Sequence, residues 1–375
     1  MTCVSNALII GGGIAGLSAA IALSRAGVTC DVVELYDNPT GASLGVSGRA
    51  AEALDELGVY DRCYETSRPF TSDTTVLNQY DAAGTLISPG PNRPPWPGGK
   101  TALGVYRPDF LQVLADRAVA LGVTIRKGVT AETIDEQADV DQVNFTDGGA
   151  KAYDLVVGAD GINSRMRERL FPGADKPTYA GQMSIRWMAP GPMVEPEGWY
   201  HSSVGRLGFY YIPQGFVYIP AVISEPELKW LDDVEVHALF TRMLDSYTAP
   251  AMVELRRRLT PDAKLIYRPF EWLLLPEPWH KGRVLLIGDA AHATTAHMGQ
   301  GGGMAIEDAV VLGQCVAAAK TLPEAFDTFM ARRFERVKTV VETSVGLSRL
   351  EQANAPPAEN VALMTKAFAT LAQPY

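Results

Sequence analysis

Three glycines, Gly11, Gly13 and Gly16, follow the apolar run Leu8-Ile9-Ile10 and open a stretch of small residues. A Gly-x-Gly-x-x-Gly turn between a strand and a helix is built to hold a pyrophosphate. The first glycine permits a tight bend, the second lets the backbone approach the phosphates, and the third lets helix and strand pack closely. The helix N-terminus adds free N–H groups and positive dipole. A second strand, Thr29 to Glu34, ends in a carboxylate 18 positions after Gly16, where an adenosine ribose needs an acceptor. Together these segments predict a dinucleotide site; a glycine-rich turn with a surface glutamate is the alternative.

Two later segments extend this chemistry. Asp289 ends the apolar run Val284-Leu285-Leu286-Ile287-Gly288 where the chain must turn, the place where ligands sit in open α/β sheets, and its carboxylate can accept hydrogen bonds from a polyol. Capping of the next helix is its other reading. The turn Gly299-Gln300-Gly301-Gly302-Gly303 has no bulk to keep a flat ring away from backbone amides, and the helix after it can aim its positive end at that ring. Asp160 and Gly161 close another apolar strand, Asp154 to Gly158.

The elements that must position these residues are legible in outline. Residues from about 6 to 35 form a βαβ unit, broken at Asn38-Pro39-Thr40-Gly41, and helices are expected over Ala50 to Leu57, after Arg107-Pro108 and over Gly301 to Ala319. Ser88 to Gly99 carries five prolines and reads as an irregular loop. Residues from about 176 to 268 alternate Tyr, Trp, Phe and Ile with Pro and Gly, which predicts an antiparallel sheet. The expected fold class is α/β: a Rossmann-like domain in three pieces, 1–70, 101–175 and 269–345, an inserted antiparallel β-sheet domain of 71–100 and 176–268, and C-terminal helices over 346–375.

Composition sets limits on partners. The chain has 375 residues, 47% hydrophobic and 20% charged, with a formal charge of −10, which argues against nucleic acid or an anionic membrane as partner. Cys3, Cys30, Cys63 and Cys315 have neither metal-ligand nor disulfide spacing, so no metal is expected and a cytoplasmic location fits.

The three marks, Gly11-x-Gly13-x-x-Gly16, Gly158-Ala159-Asp160-Gly161 through Arg167, and Gly288-Asp289-Ala290-Ala291-His292 with its glycine-rich turn, stand in order along nearly the whole chain. Together they resemble the single-component FAD-dependent aromatic hydroxylases, the group typified by p-hydroxybenzoate hydroxylase. The resemblance implies FAD held by Gly11, Gly13, Ala15, Gly16, Glu34, Leu35, Arg107, Val129, Asp160, Asp289, Gly301, Gly302 and Gly303, with Arg167 buttressing its loop. It implies NADH or NADPH as transient electron donor and a flavin hydroperoxide that hydroxylates a phenol or a pyridine- or purine-like hydroxy-N-heteroaromatic, in a monomer or homodimer.

Arg206 and Tyr218, twelve residues apart across the turn Ile212-Pro213-Gln214-Gly215, resemble the family's substrate-facing arginine and tyrosine and are assigned the catalytic role. An exposed arginine and a core tyrosine are the other reading. Tyr211, His201, Ala296 and His297 are further substrate candidates. The family often has proline where Ala296 stands. His292 reads as structural. Two other classes stay open: a flavin-dependent reductase of alkene or isoprenoid substrates, and a flavin-containing small-molecule-binding protein.

Overall fold

The computed structural model describes residues 2–36, 41–70, 78–89, 99–137 and 140–375. The break expected at Asn38-Pro39-Thr40 and residues 90–98 of the proline-rich loop lie outside them. Asn6–Ile10, Thr29–Glu34, Thr124–Lys127, Leu155–Gly158 and Val284–Leu286 pair in parallel, and His280–Lys281 closes one edge antiparallel. The central strands are near-continuous apolar runs because both faces are covered, and Leu8, Ile9, Val156, Val157 and Leu285 are fully buried. Parallel pairing brings the C-terminal ends of four neighbouring strands to one edge, so the Gly11 turn, Glu34, Asp160 and Asp289 converge there although up to 278 positions separate them in sequence.

Helix Ile14–Arg25 packs on Gly301–Ala318. A Cβ on Gly313 would meet Ala22 at 2.9 Å, so glycine sets how closely these helices approach. A small antiparallel sheet of Ala131–Glu136, Asp141–Phe145 and Ala150–Tyr153 sits beside this layer.

The second unit is a seven-stranded, mainly antiparallel sheet in the order Leu265–Trp272, Thr178–Pro190, Phe216–Ser224, Arg206–Ile212, Gly198–His201, Asn78–Tyr80, Leu86–Ser88. One face is covered by helices Asp233–Asp245 and Pro250–Arg258, with Trp187, Phe209, Ile219, Phe240 and Met252 buried between. The opposite face turns toward the first unit, where Tyr210 Oη lies 2.9 Å from Ser43 Oγ.

Two expected boundaries fall inside elements. The one at 268/269 cuts strand Leu265–Trp272, which pairs along most of its length with Thr178–Pro190. The one at 345/346 cuts helix Leu322–Gln352, whose buried stripe Val337, Val340, Val341, Ser344, Val345 and Ser348 runs straight through it. Among the described residues no helix is long and apolar enough to cross a membrane, and no cluster of His, Cys, Asp and Glu is arranged to hold a metal ion.

Candidate active site

The glycine turn is fixed by contacts that only glycine allows. Gly11 has φ +113, and a Cβ there would stand 2.2 Å from the Ala159 carbonyl oxygen; a Cβ on Gly16 would stand 1.8 Å from the Gly11 oxygen. Gly13, the helix N-cap, differs. A Cβ on it would meet nothing within 4 Å, no side chain caps this helix, and no acidic residue sits in its first turn. Ala15 faces Gly288, 2.8 Å from where a Cβ of that glycine would lie.

Glu34 Oε2 accepts from Gly12 N at 2.7 Å and Oε1 from Tyr36 N at 2.9 Å, so strand end and glycine turn are tied together. Leu35 beside it is exposed, and Val129 N donates to the Glu34 carbonyl at 3.3 Å. Arg107 begins helix Arg107–Ala120. Burial pushes its pKa down, while the charges of Asp289 and Glu34 oppose that shift, so it lies within electrostatic reach of both carboxylates.

Asp160, at the edge of the sheet, also braces its own loop. It accepts from the hydroxyl of Ser164, the N-cap of helix Arg165–Leu170, and from Met166 N at 3.0 Å in its first turn. Buried Arg167 then donates to the Ile162 carbonyl at 2.8 Å and the Ala290 carbonyl at 3.0 Å, locking this loop to the Asp289 turn.

That turn is held from behind by a buried ionic network. Asp308 Oδ2 accepts from Gly288 N at 3.0 Å and lies 2.6 Å from His292 Nε2, while Oδ1 accepts from Arg333 Nε at 2.8 Å. Arg333 also reaches Glu307 at 2.8 Å, and Glu307 in turn accepts from Arg336 at 2.7 Å. His292 is thus structural, and Asp289 projects from the braced turn. Its surface is open to solvent although protein surrounds it, and burial raises its pKa against the pull of His292 and Arg107.

The facing sheet presents its residues by strand alternation. Arg206 pairs with His201 and Val222, and Tyr210 pairs with Tyr218, so Arg206, His201, Tyr210 and Tyr218 share the face toward the first unit. Arg206 and Tyr218 are four positions apart along the strands, roughly 13 Å, and so do not meet directly across the hairpin. Tyr211, expected to face the substrate, lies on the other face, packed on the second core with Leu207 and Phe209, while Tyr210 is on the face toward the first unit. Tyr210 stands edge-on to both Tyr218 and Phe70, with centroids 5.3 Å apart in each pair. Tyr218 is 7% exposed; burial raises its pKa against the pull of Arg186, so it stays a protonated hydroxyl at neutral pH.

Arg206 has a partner the sequence reading missed. Its Nε donates to Glu351 Oε1 at 2.7 Å, and its guanidinium lies over the Trp199 ring at 4.2 Å. Burial alone would raise the Glu351 pKa, but Arg206 and His297 outweigh it and bring it down to about 2. His297 Nδ1 is 3.0 Å from Thr295 Oγ1, and its buried Nε2 lies 3.4 Å from Glu351 Oε2. Burial lowers the His297 pKa, which keeps the ring neutral at pH 7. His201 Nε2 lies 2.7 Å from Gln79 Oε1. Ala296 is exposed, but its carbonyl already accepts from Gly299 N at 3.0 Å. Arg186, also missed, shares the Tyr218 face two positions from Met188, the Tyr218 partner, and no described ion pair or hydrogen bond engages its guanidinium.

The uncapped helix at Gly13, the exposed carboxylate of Asp289 and the glycine-walled helix start at Gly301 fit a long dinucleotide along one edge of a sheet, with a polar and aromatic wall facing it. This defines a dinucleotide-binding α/β protein. The family model described as FAD binding domain matches residues 5–344, and the chain belongs to that family.

Its relatives include the 2-heptyl-3-hydroxy-4(1H)-quinolone synthase of Pseudomonas aeruginosa, 30% identical over 93% of this chain and 90% of that one. The FAD-dependent urate hydroxylase of Klebsiella oxytoca is 29% identical over 90% and 88%. The crystal structure of Klebsiella pneumoniae HpxO complexed with FAD and uric acid shares the fold, with a TM-score of 0.78 at 23% identity, covering 99% of this chain and 97% of that one. The family match and these relatives bear out the resemblance to the single-component FAD-dependent aromatic hydroxylases.

Proposed function

We propose that the protein adds one oxygen atom from O2 to a phenolic or hydroxy-N-heteroaromatic ring, with NADH or NADPH as electron donor. The observation that carries this reading is the facing sheet, whose Arg186, His201, Arg206, Tyr210 and Tyr218 share the face that meets the first unit at Tyr210 and Ser43. A long apolar tunnel, as an isoprenoid reductase needs, would not be walled by such residues. The unbonded cysteines Cys3, Cys30, Cys63 and Cys315 suit the reducing cytoplasm proposed as its location.

FAD when bound supplies two-electron redox chemistry and activation of O2. The chain supplies placement. Gly13 and the helix behind it meet the pyrophosphate, Glu34 the adenosine ribose, Asp289 the ribityl hydroxyls, and Gly301 to Gly303 the ring. Tyr218, held as a neutral hydroxyl, donates to the ring oxygen of the substrate, and Arg206 anchors the far end of the ring. A screen of phenols, hydroxypyridines and oxopurines for stimulated NAD(P)H oxidation, with mass spectrometry for an added oxygen atom, tests the reading. No stimulation and no oxygenated product across the panel would sink it.

Two substitutions separate cofactor from substrate. Asp289→Ala removes a charge-assisted hydrogen bond of about 1.5–3 kcal/mol and is expected to weaken FAD about ten- to a hundredfold, read from flavin fluorescence on dilution. Wild-type retention would remove Asp289 from the cofactor site. Tyr218→Phe is expected to keep FAD but lower the yield of product per NAD(P)H consumed, the missing fraction appearing as hydrogen peroxide. Unchanged coupling would leave Tyr218 with a packing role alone.

A further inference from the structure

Glu351 sits in the last turn of helix Leu322–Gln352, where the helix dipole opposes a negative charge. The helix end is nonetheless held against the facing sheet. Ser348 Oγ donates to Gln182 Oε1 at 2.6 Å and Gln352 Nε2 donates to the Ala180 carbonyl at 2.9 Å. Gly181, beside this contact, has φ +79, a conformation that favours glycine. The carboxylate is thereby delivered to Arg206 and to within 3.4 Å of the buried Nε2 of His297.

One of the five guanidinium N–H groups of Arg206 is taken by Glu351, and each carboxylate oxygen retains an acceptor position. Both side chains keep some exposure, 17% for Arg206 and 28% for Glu351. The result is a donor and an acceptor side by side on the wall of the site, with no net charge between them. A simple anion gains little from such a pair. A ring edge carrying a C=O next to an N–H is its complement: the carbonyl takes an Arg206 donor while Glu351 accepts the N–H.

Resting on the aromatic-hydroxylase reading above, we propose that Glu351 is a specificity residue which, with Arg206, selects N-heteroaromatic substrates in the lactam form, with a ring N–H adjacent to a carbonyl. Pyridone, quinolone and oxopurine rings meet that description, and phenols do not.

The test titrates the FAD-loaded enzyme with 2-quinolone and with its N-methyl derivative, following the flavin absorbance change. The wild type is expected to bind the N–H ligand about ten- to a hundredfold more tightly. In Glu351→Gln, which keeps the bulk but weakens the acceptor, the preference is expected to shrink severalfold, and in Glu351→Ala to vanish, with FAD content and melting temperature as checks on folding. A carboxylate that merely positions Arg206 would lower affinity for both ligands equally and leave their ratio intact; that result, or a wild type indifferent to N-methylation, overturns the proposal. If neither ligand binds while phenols bind and are hydroxylated, the lactam inference alone fails. If no aromatic compound binds or is hydroxylated, the hydroxylase reading fails with it.

Discussion

Arg333→Met is expected to lower stability by about 3–5 kcal/mol, the usual consequence of leaving a buried carboxylate without its cation. Arg333 has no exposed side-chain surface, and it is the cation that joins Asp308 to Glu307. Glu307 would keep Arg336, but Asp308 would be left with His292 and the Gly288 amide. Burial by itself raises the Asp308 pKa; His292 and Arg333 overcome it and bring it down to about 2, below the ordinary aspartate value near 4. The stability that Asp308 contributes is therefore complete above about pH 4 and lost as pH falls through about 2. Without Arg333 the acid-unfolding midpoint should move up in pH, the melting temperature should fall, and FAD retention should fall with it because Asp308 carries the Gly288 amide. A variant with wild-type melting, acid midpoint and FAD content would show that the network does not brace the Asp289 turn.

What the sequence disclosed about this site was what local chemistry dictates. Leu8 to Gly16 and Val284 to Asp289 are short segments in which an apolar strand, a turn and a helix start follow one another, so residue type and order specify them without knowledge of the rest of the fold. The convergence of Glu34, Asp160 and Asp289 on one edge followed from parallel pairing alone. Asp160 shows what motif reading leaves out, because its carboxylate also holds its own loop, accepting from Ser164 and Met166 N.

The substrate side depends on register, which one sequence specifies poorly. The adjacent pair Tyr210-Tyr211 must split between two faces, and Leu207, Phe209 and Tyr211 alternate as a core-facing stripe should, so the signal that puts Tyr210 on the face toward the first unit was present in the period of two. Arg186 needed the pairing of a third strand before its face could be assigned. Glu351 left no local trace. It is 145 residues from Arg206 and reads as one more charge near a helix end; only the docking of that helix on Gln182 and Ala180 brings it to the site.

Gly16→Ala and Gly13→Ala are expected to fail in different ways. At Gly16 the new methyl would stand 1.8 Å from the Gly11 oxygen, with Ile9 Cγ2 at 3.1 Å. No rotamer relieves an alanine, and the backbone around Gly11 cannot retreat, since Gly11 N donates to the Val33 carbonyl at 2.8 Å and Ala159 N to the Ile10 carbonyl at 2.8 Å. Strand and helix must separate, so both stability and FAD binding are lost. At Gly13 a Cβ meets no protein atom within 4 Å and φ is −80, a value alanine adopts without strain. The chain tolerates that methyl at a cost of about 1 kcal/mol or less for the poorer N-cap. If Gly13 is glycine so that phosphates can approach the backbone, Gly13→Ala should fold and melt close to the cofactor-free wild type yet take up FAD at least tenfold more weakly. Circular dichroism melts of both variants, measured with and without added FAD, read the contrast directly. A Gly13→Ala protein that retains FAD as the wild type does would mean that the pyrophosphate is held elsewhere.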